Sequence, residues 1–412
     1  MRKVKVLAFV LAAGVIAGSY ATDARVAVMG RQSHPWFYKD EVTVFNNPAD
    51  MSLYPNMLYG SFGWVNPEQR GSQITTENFN PNDPFFGAMF SYRFGEEDNS
   101  PMLSIGAFAN RRDPMLNRLI EAGGRSSNGR TGPNTPNLID PAGKFDLMLG
   151  YDLGNGVAFG AGAYAAVQNR VVGNTMMDQT EFYKGSLGMN WNIDQGLDLE
   201  ASVNAGMMNA RYHRTWPAGA PDTMIYVTDR DKFDYFLRGD LRFFSGVPAI
   251  NGAFVPQVTL EYIKLNERDI IDLNGGVGVN MNIDRGFFWA GLQGVYTQIN
   301  SDRRDIDDIQ EIGARLSFGI ERNVVWDWFL IRVGGAKELR FVTSGSDDTH
   351  WRENVASDGS ELDLVGLGFG LNIDNRLRID VVVSESLPYT LTNLITGNQH
   401  HLFSRVSATY RF

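Results

Sequence analysis

Charged side chains stand at every second position of otherwise apolar runs, and that spacing decides what chemistry they could do. Asp234, Arg238, Asp240 and Arg242 alternate with Tyr235, Leu237, Gly239 and Leu241. Asp198 and Glu200 alternate with Leu197, Leu199 and Ala201, Arg315 and Glu321 with Leu316 and Ile320, and Arg378 and Asp380 with Leu377, Ile379 and Val381. Arg93, Asp146, Glu261, Arg405 and Arg411 hold equivalent places in other runs. Residues two apart on an extended strand share a face, so each run carries its charges on one side and its apolar groups on the other. Gathered in one lumen, these carboxylates and guanidiniums could pair across strands and fill a narrow interior. In a wide one they would line water and set an ion preference.

Catalytic chemistry finds no comparable support. The five histidines, His34, His213, His350, His400 and His401, lie in the N-terminal segment and in expected loops, and no serine stands beside one in a strand that would orient it as a nucleophile. No catalytic residue, metal site or cofactor is assigned, and the chain is read as a non-enzyme. The acidic run Asp302 to Asp308 and the pair Asp347 and Asp348 fit solvated loops, or carboxylates bridged through divalent cations to lipopolysaccharide phosphates. Cysteine is absent, which removes disulfides and thiol redox chemistry. A formal charge of −10 speaks against a nucleic-acid partner.

The elements that position the charges are hairpins. Period two holds in the pairs 86–94 with 103–110, 144–152 with 157–169, 181–192 with 197–212, 232–244 with 254–266, 274–282 with 287–300, 309–321 with 326–341 and 361–372 with 377–386. Their turns are short and alike. Asn192 to Gly196, Asn282 to Gly286 and Asn372 to Arg376 share an Asn-Ile-Asp opening, and Asn, Asp and Gly supply the left-handed backbone angles of tight turns. The other connections, 66–84, 112–143, 170–179, 213–230, 301–308, 344–360 and 387–400, are longer and polar. Apolar rows that end on Phe94, Tyr151, Trp191, Tyr262, Tyr410 and Phe412 have the aromatic ends of membrane strands. The fold class expected is all-β, a transmembrane antiparallel up-and-down barrel of 14 to 16 strands over residues 57–412.

Both ends of the chain carry signals. Arg2, Lys3 and Lys5, the apolar run Val6 to Ile16 and the small-x-Ala site Ser19-Tyr20-Ala21 read as a signal peptide over residues 1–21. The last strand, ending Val406, Ala408, Tyr410 and Phe412 against Arg405, Ser407, Thr409 and Arg411, resembles the closing strand of bacterial outer-membrane barrels. That resemblance implies the barrel-assembly machinery as a partner, and outer-membrane lipid as surroundings. Between the two, residues 22–56 show no strand period. Their Ala24, Arg25, Met29 and Gly30, the acidic pair Asp40 and Glu41, and Asn47-Pro48-Ala49 resemble the N-terminus of the long-chain fatty-acid transporter superfamily, which includes the shuttle barrels of type IX secretion. The resemblance implies a plug-like segment at the periplasmic mouth, with Arg25, Met29, Gly30, Asn47, Pro48 and Ala49 as its motif. Read without it, Asn47-Pro48 is a turn leading into a strand.

In the longest connection Asp113 is placed to cap a short helix that starts at Pro114 and ends by Gly123. Met115, Leu116, Leu119 and Ile120 share one face. They could fold inward as a constriction, receive a small apolar ligand, or pack on neighbouring loops. The function expected is passive uptake of small hydrophobic or amphipathic solutes through a porin-like barrel. The alternative is a non-conducting partner or shuttle protein, acting through its loops and plug.

Overall fold

The computed structural model describes residues 23–29, 36–63, 84–97, 99–116, 118, 119, 141–172, 176–194, 196–214, 223–227, 234–265, 268–301, 308–324, 326–345, 348–353, 366–383 and 403–412. The period-two runs form strands β1 (Met57–Gly63), β2 (Phe85–Arg93), β3 (Met102–Ala109), β4 (Gly143–Asp152), β5 (Val157–Val172), β6 (Met176–Asp194), β7 (Leu197–Arg214), β8 (Thr223–Val227) and β9 (Asp234–Val247). They continue as β10 (Gly252–Leu265), β11 (Arg268–Ile283), β12 (Gly286–Ser301), β13 (Ile309–Asn323), β14 (Phe329–Ser344), β15 (Asp348–Glu353), β16 (Gly366–Ile373), β17 (Leu377–Val383) and β18 (Phe403–Arg411).

Every ladder is antiparallel, and the sheet closes on itself where β1 pairs β18 from Met57 opposite Arg411 to Gly63 opposite Arg405. Two short strands lie outside the ring count. β7 pairs β9 over Leu197–Met208 and β8 only beyond it, at Arg211–Arg214. β14 likewise pairs β16 over Phe329–Gly334 and β15 over Leu339–Ser344. The barrel therefore has sixteen strands around its circumference, the upper end of the expected range. One expected loop is shorter than its polarity suggests: β5 runs to Val172 and β6 starts at Met176, because this hairpin continues beyond the length a membrane needs.

The turns at the end that holds Met57 and Phe412 are tight. Arg285, Asp374 and Asn375 adopt positive φ of 54°, 53° and 55° there, and Gly196 does so at 97°. Polarity is inverted relative to a water-soluble protein. Leu187, Leu316 and Ile312 are 65%, 57% and 56% exposed on the outer wall, while Glu321, Arg332 and Asp380 are buried on the inner one. A closed sheet with an apolar exterior meets the two demands of a bilayer, since it has no free edge and no charged belt. The aromatic ends mark the boundaries: Phe90 lies 5.4 Å from Phe412, and Trp326 stacks on Trp328 at 5.1 Å. Among the described residues no helix is long and apolar enough to cross a membrane.

Leu187 tests the inversion. In a soluble protein, arginine at so exposed a position would change stability little. In the refolded barrel, Leu187→Arg is expected to destabilise by about 2–4 kcal/mol, read as a lower urea midpoint in lipid vesicles.

Candidate functional site

The lumen is filled from two directions. At the short-turn end sits the N-terminal segment, built from the helix Asp23–Val28 and two 3-10 turns, Glu41–Phe45 and Pro48–Leu53. Each 3-10 turn has its own cap. The Asp40 carboxylate accepts from the Val42 amide, and the Asn47 side-chain carbonyl accepts from the Ala49 amide, with Pro48 at the position where a missing N–H costs nothing. Non-polar side chains fix the segment laterally. Val26, Val44, Phe45 and Met51 pack on Tyr59, Phe85, Met89 and Phe108 of β1 to β3, and Met29, Phe37 and Tyr38 pack on Phe244, Val255 and Trp289.

Backbone approach explains two glycines. A Cβ at Gly160 would collide with the main chain of Pro48 and Ala49, and one at Gly188 with the Asn47 side chain.

Charge then sets the register. Arg25 is fully buried and makes a bidentate pair with Glu321, its Nε and Nη2 donating at 2.8 Å each, while Nη1 reaches Asp40 at 3.3 Å. Glu321 also accepts from Arg332 at 2.9 Å and Arg378 at 3.4 Å, and Asp380 binds Arg332 at 2.7 Å and Arg378 at 3.1 Å. Arg411 lies 3.8 Å from Glu41. On the opposite wall Lys39 meets Glu200 at 2.8 Å and Asp198 at 3.3 Å, and Arg242 meets Glu200 at 2.5 Å. Asn190 donates to Asp50 at 2.7 Å.

The second filling comes from the long-loop end. Residues 114–116, 118 and 119 are helical, and Asp113 caps them by accepting from the Met115 amide at 2.9 Å. Met115, Leu116 and Leu119 bury themselves on inward-facing Tyr164, Phe182, Met208, Phe236 and Ile263. Ion pairs anchor both ends of this helix. Asp113 binds Lys184 at 2.6 Å, and Arg118 binds Glu261 and Asp272.

The remaining expected lumen residues also face inward. Asp234 is buried, Arg238 binds Asp240 at 2.9 Å, Arg315 lies 4.0 Å from Glu338, and Arg405 binds Asp23 at 2.6 Å. Arg93 is solvent-exposed at the short-turn rim, where it reaches the Ser100 carbonyl at 3.5 Å. Gly30 and Ile120 lie outside the described residues, as do residues 1–22 with the expected signal peptide. Sequence reasoning overlooked Lys39, Lys184, Asp272, Arg332, Glu338 and Arg340. The signal was present for most of them, since Asp272 alternates with Ile271 and Leu273 as Glu261 does with Leu260 and Tyr262.

No protein-family model matches this chain, and neither does any curated protein. Solved structures with a related trace include a TodX deltaS2S3 mutant, a monoaromatic hydrocarbon channel, at 10% identity over 96% of this chain and 99% of that one, with a TM-score of 0.40. The Pseudomonas putida toluene transporter TodX gives 9% identity, 96% and 98% coverage and a TM-score of 0.36. BamA from Haemophilus ducreyi lacking POTRA domains 1–3 gives 7%, 86% and 70%, and 0.36.

Burial dominates the acid–base behaviour of the N-terminal segment. It pushes the Asp40 carboxyl up to about 7 against the pull of Arg25, and Asp50 up to about 6 with Glu200 adding to the effect. It raises Glu41 well above the carboxylate range, with Asp40 contributing. A carboxyl raised in the folded state binds its proton more tightly there than in the unfolded chain, so it favours the folded state below its raised value. Stability is therefore gained as pH falls from about 8 to about 5, and lost on the way back. The urea midpoint should follow that direction, and Asp40→Asn with Asp50→Asn should flatten it. Arg25→Ala leaves Asp40 and Glu321 buried without their shared cation and should cost about 3–5 kcal/mol in the same measurement.

Proposed function

We propose that the protein is an outer-membrane channel for passive entry of small hydrophobic or amphipathic solutes. At rest it is held shut by its N-terminal segment, acting as a periplasmic plug, and by the loop helix. The observation that carries this reading is the apolar wall inside the lumen, where Tyr164, Phe182, Met208, Phe236 and Ile263 face inward and are covered by Met115, Leu116 and Leu119. A water-filled pore gains nothing from inward aromatic and aliphatic groups, whereas an apolar solute gains about 25 cal/mol for each Å² it buries on them. The helix is a replaceable cover, because a solute of similar size and apolarity makes the same contacts.

Charge narrows the solute. Beside the wall, Arg111, Lys184, Arg118 and Arg238 pair with Asp113, Asp146, Glu261 and Asp272, so these charges are matched four to four. That balance favours a neutral solute over one with a carboxylate head. Tight turns at the mouth that holds the N-terminal segment, and long connections at the other, support the first as periplasmic and the second as external.

Uptake of radiolabelled naphthalene is the test. Cells carrying the protein in their outer membrane should take it up several-fold faster than cells without it, and Phe182→Asp should return uptake to the control level while the barrel keeps its heat-modifiable gel migration. Equal uptake with and without the protein would sink the channel reading and leave a non-conducting partner protein, whose lumen is closed by paired charges.

A further inference from the structure

Lys184 stands where the two fillings of the lumen meet. Its buried ammonium donates to Asp113 Oδ2 at 2.6 Å, on the loop side, and to the Phe45 carbonyl oxygen at 3.2 Å, on the N-terminal side. The Arg111 guanidinium lies 4.2 Å over the face of the Phe45 ring and donates to Asp113 at 3.1 Å and to Asp146 at 2.7 Å. Two cations, Lys184 on β6 and Arg111 just after β3, are thus each shared between the loop carboxylate of Asp113 and Phe45, the last residue of the first 3-10 turn.

A shared buried donor couples its acceptors. If the loop helix leaves, Lys184 keeps the Phe45 carbonyl but loses the carboxylate that balances its charge. If the N-terminal segment leaves, both Lys184 and Arg111 lose contacts at Phe45. Each element is therefore seated at lower free energy when the other is in place, and by linkage the effect is the same in both directions. At the far end of the helix, Arg118 holds Glu261 and Asp272 on β10 and β11, away from β6, where Lys184 stands.

We propose that the loop helix and the N-terminal segment are one coupled double gate clamped by Lys184, so that freeing either from its own anchor loosens the other. This rests on the reading that both elements occlude the lumen, but the coupling can be measured without any solute crossing.

The native chain has no cysteine, so single reporters are clean. Leu119→Cys reports on the loop helix and Met51→Cys on the N-terminal segment, both at positions fully buried in the folded protein. Full-length barrels are refolded into lipid vesicles, checked by heat-modifiable migration, and labelled with a maleimide. Arg118→Ala, which frees the far end of the loop helix, should raise the labelling rate of Met51→Cys by roughly 5-fold or more. Arg25→Ala, which frees the N-terminal segment at Glu321, should raise that of Leu119→Cys by a similar factor. Adding Lys184→Met should abolish both cross effects. The proposal is overturned if each anchor variant speeds only the reporter on its own element, or if neither reporter responds to either variant. Failed naphthalene uptake with intact cross effects would reject the channel and keep the clamp, and the converse pattern would do the opposite.

Discussion

Lipid offers a peptide group nothing to bond to, and the rest of this structure follows from that constraint. A sheet inside a bilayer must close, and here β1 meets β18 in seven paired positions from Met57 to Gly63. Closure divides every strand into an outward and an inward face. The outward face is given over to Leu187, Leu316 and their like, which leaves the polar residues nowhere to go but inward. A barrel interior of this circumference is too wide for one layer of side chains to fill, so further chain enters from both mouths.

What enters is chosen by charge as much as by shape. Glu321 alone would be a buried carboxylate facing Arg332 and Arg378; Arg25 completes it with two further bonds at 2.8 Å and brings Asp40 with it. The desolvation of these groups is offset because each charge keeps hydrogen-bonded partners of opposite sign. Apolar packing of Phe45 and Met51 on one side and Phe37 on the other then decides how deep the segment sits. The loop helix repeats the scheme, with an apolar face between two ionic anchors.

Local rules made most of the barrel legible. Alternation placed Asp240 and Arg242 on one face and Leu241 on the other without any knowledge of their neighbours, and the Asn-Ile-Asp turns located the hairpins. The same alternation was available at Asp272 and Glu338, where the charge stands among residues of mixed character and the period is easily passed over. Partner choice was not legible. Arg25 and Glu321 are separated by 296 positions, and nothing in either local run specifies the other. The cap and apolar face of the loop helix were readable from Asp113, Met115 and Leu119, but the surface that receives them is assembled from five later strands, β5, β6, β7, β9 and β10, and no local run specifies it.

That separation has a consequence in time. The Ala24 amide donates to Ser407, 383 positions away, and Arg25 waits for Glu321 and Asp40 to converge. The helix Asp23–Val28 has its receiving surface made last, by β13, β14, β16, β17 and β18. Contacts of such long sequence separation form late, after the loop-closure entropy of the whole ring has been overcome. Phe45 and Met51 find their wall early, on β1 to β3, and Phe37 finds its own on β9, β10 and β12, so an assembling chain can seat the later part of the segment first and its opening helix at the end.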